Sequence, residues 1–119
     1  MQYLMLIYEN ENVWSTISQA EAGAIFRDYV KLTQSLTQSG HYQSGNPLEP
    51  TRTATTVRTR DGKIQTTDGP FAETREQLGG YFVIDASDLD EAIGIAARIP
   101  ASATGSIEIR PIRPKPAAV

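Results

Sequence analysis

Six consecutive side chains, Tyr3-Leu4-Met5-Leu6-Ile7-Tyr8, are all aliphatic or aromatic, and this run constrains the chain most. A strand with one wet face alternates polar and apolar residues. An unbroken run instead reads as a strand covered on both faces, although periodicity alone does not exclude a turn of buried helix. The run is the longest of its kind here. A membrane-spanning helix needs about 20 such residues, so none is expected. No positive region precedes it, so a secretory leader is not expected either.

The rest of the chain must then supply the covers. Ser18 to about Ser39 reads as a helix: Ser18 and Glu21 have capping-box spacing, and Gly40 supplies a left-handed stop. Ala22, Ile25, Phe26, Tyr29, Leu32 and Leu36 fall on one stripe of it at spacings of three and four. Residues 41–50 are rich in Gly, Asn and Pro and read as a loop with room for a short edge strand. Thr53 to Arg60 and Lys63 to Thr67 read as two strands joined through Asp61-Gly62, a type I′ hairpin signal. Asp68-Gly69-Pro70 breaks the second of them. Tyr81 to Ile84 reads as a buried strand entered through Gly79-Gly80. A second helix is expected from Asp88 to Ile99, with Leu89, Ala92, Ile93, Ala96 and Ala97 as its apolar stripe and Pro100 as its stop. Ser106 to Ile112 alternates as a last strand. The order strand, helix, hairpin, strand, helix, strand predicts an α+β fold, a ferredoxin-like antiparallel sheet with two helices on one face. At 119 residues there is one domain, residues 1–113, with residues 114–119 as a flexible tail. No residues remain to cover the second sheet face, so a homodimer is the expected cover.

Composition removes several function classes. Cysteine is absent, which excludes disulfides, thiol catalysis and Cys-ligated metals and suits a cytoplasmic location. One histidine, His41, cannot build a multi-histidine site. A net charge of -3 argues against nucleic acid as a partner, because a basic face is expected there. No P-loop, GxGxxG, HExxH or GxSxG pattern occurs. No metal and no cofactor is expected.

At Asp68-Gly69-Pro70-Phe71-Ala72-Glu73-Thr74 the chain resembles the DGPF domain of the YCII-related family. The similarity continues through Arg75-Glu76-Gln77-Leu78-Gly79-Gly80-Tyr81 and Asp88-Leu89-Asp90-Glu91-Ala92, and covers the opening run and Ile107-Glu108-Ile109-Arg110-Pro111. It spans nearly the whole chain apart from the tail. The resemblance implies a ferredoxin-like fold that dimerises as a dimeric α/β barrel. It also implies a bacterial protein whose gene often neighbours an extracytoplasmic-function sigma factor, with no established biochemical role. The wider family is credited with a His–Asp pair near the first helix. The first helix here holds no histidine, and His41 follows the Gly40 stop, so that pair is not carried over.

Five side chains are the candidate site residues. Asp68 is the catalytic candidate: a carboxylate at a strand end beside a cleft can serve as a general base or a ligand contact. Its alternative is structural, accepting from backbone N–H groups to fix the Gly69-Pro70 turn. Phe71 reads as a plug in the core or subunit interface, or as an aromatic ligand wall. Glu73, with Arg75 and Glu76, faces either a pocket or water. Tyr8 and Tyr81 flank apolar runs, so their rings can pack while their hydroxyls reach a cleft. His41 reads as exposed, as a bond to the last helix carbonyls, or as a lone acid–base group. Arg52, Arg58, Arg60 and Lys63 crowd the hairpin, either for an acidic partner or as a solvated edge. Together these predict a homodimer that binds a small organic molecule in its barrel or dimer cleft. Two alternatives stand beside that reading: a regulatory interaction module, with a sigma factor as one partner, and a cofactor-free lyase, isomerase or monooxygenase. The last rests on fold analogy.

Overall fold

The computed structural model describes residues 1–117; of the expected tail, residues 118–119 lie outside the described residues. Six strands and two helices follow in the order β1 (Gln2–Glu9), α1 (Gln19–Gln38), β2 (Tyr42–Pro47), β3 (Thr55–Arg60), β4 (Lys63–Asp68), β5 (Gln77–Asp85), α2 (Leu89–Ala96) and β6 (Ser106–Pro111). Strands β2-β5-β1-β6 form one sheet in that order, and every neighbouring pair is antiparallel. This is the ferredoxin-like arrangement, with β3 and β4 inserted between β2 and β5 as a separate two-stranded sheet.

Local chemistry sets the element ends. The Ser18 hydroxyl accepts from the Glu21 N–H at 3.1 Å while the Glu21 carboxylate reaches back to the Ser18 N–H, completing a capping box. At the other end of α1, Gly40 takes φ +82 and the His41 N–H closes on the Leu36 carbonyl at 2.9 Å. Asp61 and Gly62 both have positive φ, as a type I′ turn requires. Asp88 caps α2 by accepting from the Glu91 N–H at 2.8 Å.

The core lies between the helices and one sheet face. Tyr3, Met5 and Ile7 of β1 and Phe82 and Ile84 of β5 are buried against Leu32 and Leu36 of α1 and Ala92, Ile95 and Ala96 of α2. Ile107 and Ile109 of β6 pack at its margin. The other β1 side chains, Leu4, Leu6 and Tyr8, are half-buried on the opposite face, beside Val83 and Tyr81. Within one chain the helices thus cover β1 on one face.

Three details differ from expectation. Helix α2 ends at Ala96, not near Ile99, because Ile99 caps a short 3-10 turn, Pro100–Ser102, that begins with proline. Its buried stripe runs through Ala92, Ile95 and Ala96, leaving Leu89 and Ile93 half exposed. Gly79 and Gly80 lie inside β5, not before it.

Candidate functional site

The predicted stripe of α1 divides into two halves. Leu32 and Leu36 enter the core, and Tyr29 packs against the Phe82 ring at a centroid separation of 6.4 Å. Toward the helix N-terminus the same face stands away from the sheet, and Phe26 is 68% exposed. The gap is a cavity of about 390 Å³.

Glycine explains why the helix is not met there by side chains. Gly45 of β2 and Gly79 and Gly80 of β5 all line the cavity. A β-carbon on Gly45 would lie 2.9 Å from the Tyr81 carbonyl oxygen and collide with the Phe82 ring; one on Gly80 would lie 3.2 Å from the Asn46 carbonyl oxygen. Gly45 therefore admits only bare backbone and Gly80 is tight, whereas Gly79 opens onto free space. Strand β5 also slips register here: Ile7 faces Gly80 and Tyr8 faces Leu78, so Gly79 is an unpaired bulge residue.

The walls are mostly aromatic and aliphatic: Ile7, Trp14, Ile25, Phe26, Tyr29, Val30, Tyr42 and Phe82. Tyr42 meets Phe82 edge to face at 5.9 Å. Polar groups gather in a smaller set, Glu9, Glu11, Asn46 and Gln77. A bonded rim fixes several of them. The Glu11 N–H donates to the Gln77 side-chain carbonyl at 2.9 Å, and the Gln77 amide donates to the Thr74 carbonyl at 2.6 Å. The Glu11 carboxylate accepts from both the N–H and the hydroxyl of Thr51. These bonds anchor the 3-10 turn Glu11–Ser15, which carries Trp14, and Asn10 caps that turn through the Asn12 N–H at 3.0 Å. Burial, reinforced by the negative charge of Glu9, pushes the Tyr29 hydroxyl up to about 12. At neutral pH Tyr29 is therefore a hydroxyl, able to donate as well as accept.

The five sequence candidates do not converge. Tyr81 is among the cavity-lining residues, but its side chain stands with Leu6 on the open sheet face, where its hydroxyl accepts from the Asn46 amide at 3.0 Å. Tyr8 sits half-buried on the open sheet face, between two cavity-lining neighbours, Ile7 and Glu9. Asp68, Phe71 and Glu73 are exposed and away from the cavity. Phe71, at 80% exposure, is no plug in this chain's core, because the chain turns out of the hairpin before it regains the sheet. The turn at Gly69 is held by its own N–H on the Ala54 carbonyl (2.7 Å) and by the Thr56 hydroxyl on its carbonyl (2.8 Å). Among the described residues the Asp68 carboxylate accepts no hydrogen bond, so the turn does not rely on it.

His41 does more than cap its helix. Its Nδ1 meets the Ser39 hydroxyl at 2.7 Å and its Nε2 meets the Glu91 carboxylate at 3.1 Å. The Ser87 N–H also donates to Glu91 at 3.0 Å. That backbone bond first, and His41 second, hold the Glu91 carboxyl below the usual carboxylate range. Among the described residues, no three His, Cys, Asp or Glu side chains gather as a metal site, and no helix is long and apolar enough to cross a membrane.

Sequence reasoning missed Glu9, Glu11, Trp14, Asn46 and Gln77 as cavity residues. Long-range contacts of 35, 66 and 95 positions place them, in Asn46–Tyr81, Glu11–Gln77 and Glu9–Thr104, which no short motif encodes. The available signal was glycine: Gly45 and Gly79-Gly80 lie on the neighbouring strands β2 and β5, where Gly45 faces Phe82 and Gly80 faces Pro47.

Residues 1–115 match the family model for the YCII-related domain. The chain is also 38% identical, over 114 residues, to an uncharacterized protein of Rhizobium meliloti (strain 1021), an alignment covering 94% of this chain and 92% of that protein.

Proposed function

The chain belongs to the YCII-related domain family, and on that footing we propose that it binds a small, largely apolar organic molecule in the cavity between α1 and the β2–β5 edge. The observation that carries this reading is the cavity itself: about 390 Å³, walled by aromatic and aliphatic side chains, with a few polar groups on one side. Small-molecule sites have this character, at roughly 300–1,000 Å³. The glycines of the floor support it too, since Gly45 and Gly80 put bare backbone where a side chain would press on Phe82, Tyr81 or Asn46.

Trp14 is the single tryptophan of the chain and lines the cavity, so its emission reports occupancy. Titration with the neutral probe 3-phenylpropan-1-ol should give a saturable change in Trp14 fluorescence. Ala22→Phe, which puts a ring into the cavity wall, should abolish that change while the far-UV circular dichroism spectrum stays the same. No saturable change, or equal binding by a folded Ala22→Phe variant, would reject the reading.

The open sheet face favours a second copy of the chain as partner. Leu4 and Leu6 of β1 and Val83 of β5 make it apolar at its centre, and Leu4 faces Val83 in the register. Face-to-face packing of two such sheets is the homodimer that this reading includes.

A further inference from the structure

The charges around the cavity are of one sign. The residues lining it include two acids, Glu9 and Glu11, and no lysine, arginine or histidine. The two carboxylates are not equivalent. Both oxygens of Glu11 are taken up by Thr51. Glu9 accepts from the Thr104 hydroxyl through Oε2, and Oε1 has no hydrogen-bond partner among the described residues. Aromatic residues line it as well, among them Trp14, Phe26, Tyr29, Tyr42 and Phe82. Ring faces attract cations, and most strongly where water is displaced.

We propose that the cavity selects small apolar ammonium ligands, an aryl or alkyl group in the aromatic cavity with its cationic nitrogen at Glu9, over carboxylates of the same size. This rests on the cavity being a binding site, as proposed above, and adds the chemical class of its ligand. An anion entering the cavity would lose water beside two carboxylates with no counter-charge in the lining, a cost that nothing there offsets. An ammonium group loses water too, but regains a carboxylate oxygen and ring faces. Tyr29 lines the same cavity, and its hydroxyl, pushed up mainly by burial, is pushed further by the Glu9 charge.

Three matched probes separate the terms: 3-phenylpropan-1-amine, 3-phenylpropan-1-ol and 3-phenylpropanoate, titrated at pH 7 by calorimetry and by Trp14 emission. The expected order of affinity is amine, alcohol, carboxylate, with about tenfold or more between the first and last, which is ~1.4 kcal/mol. Glu9→Gln should remove the advantage of the amine over the alcohol, read as the ratio of the two affinities in the same variant, since the amide oxygen can still accept from Thr104 but carries no charge. Equal affinities for all three, a carboxylate preference, or an amine preference that survives Glu9→Gln would overturn the ammonium assignment while leaving the cavity a binding site. Failure of all three probes to bind would overturn both.

Discussion

A methyl group at position 45 has nowhere to go. Its carbon would press on the Phe82 ring and on the Tyr81 carbonyl, the latter at 2.9 Å, and the carbonyl belongs to the neighbouring strand. Neither neighbour is free: Phe82 is buried between Tyr29 and Tyr42. Overpacking of this kind typically costs about 1–3 kcal/mol. Gly45→Ala should therefore lose stability in that range by urea titration, and it should weaken probe binding because the displaced ring belongs to the cavity wall. Gly79→Ala is the control: it meets open space and should change stability little. Residue type alone could not separate these two glycines, because both fit a loop reading equally well. What distinguishes them is a ring 37 positions away from one of them. Phe71 teaches the converse. Its hydrophobicity argued for burial, yet an exposed connection between hairpin and sheet carries it outside the core.

Between elements, the joint of α1 and α2 is held by a polar contact. His41, just beyond α1, reaches Glu91 in the first turn of α2, and Glu91 also accepts from Ser87 ahead of that helix. Because the folded-state Glu91 carboxyl titrates below its unfolded value, the unfolded chain takes up its proton first as pH falls. Its contribution is fully present above the unfolded value, near 4.3, and disappears as pH drops through the folded one. Glu91→Gln should consequently flatten the acid side of the stability profile, with denaturant midpoints measured at pH 6.5 and pH 3.5; an unchanged acid slope would count against the role. Element identity was the most legible layer of this sequence. Caps at Ser18 and Asp88, the stop at Gly40 and the Asp61-Gly62 turn all act within four residues of what they control, so local spacing reveals them. Edge strand β2 was harder to see because Gly45, Asn46 and Pro47 are poor strand formers; its pairing with β5 overrides their preference.

At the scale of the molecule, the sheet has one covered face and one open face, and a homodimer is the assembly proposed to close it. A stable interface of this type needs more than ~1,000 Å² of buried surface. Sedimentation at micromolar concentration should give twice the chain mass, and Leu6→Glu at the centre of the open face should give the single chain mass with the fold retained. A wild-type protein that sediments as one chain would refute this assembly. The antiparallel ferredoxin-like order was readable from the sequence of elements, whereas the cavity depends on which residues of α1, β2 and β5 face one another across the fold, which no pattern of residue types records. The strand order also dictates a schedule. β1 is made first, yet its partners lie far along the chain: Met5 pairs with Phe82 on one side and Ile109 on the other. Helix α1 can form from its own neighbours as soon as it is synthesised, but β1 must wait for two long loop closures, whose entropy is spent before any pairing compensates it. Until then Tyr3 to Tyr8 is a solvent-facing apolar segment with both hydrogen-bonding edges free, the kind of segment that associates with other chains. The strand that organises the finished sheet is thus the one left longest without neighbours while the chain is being made.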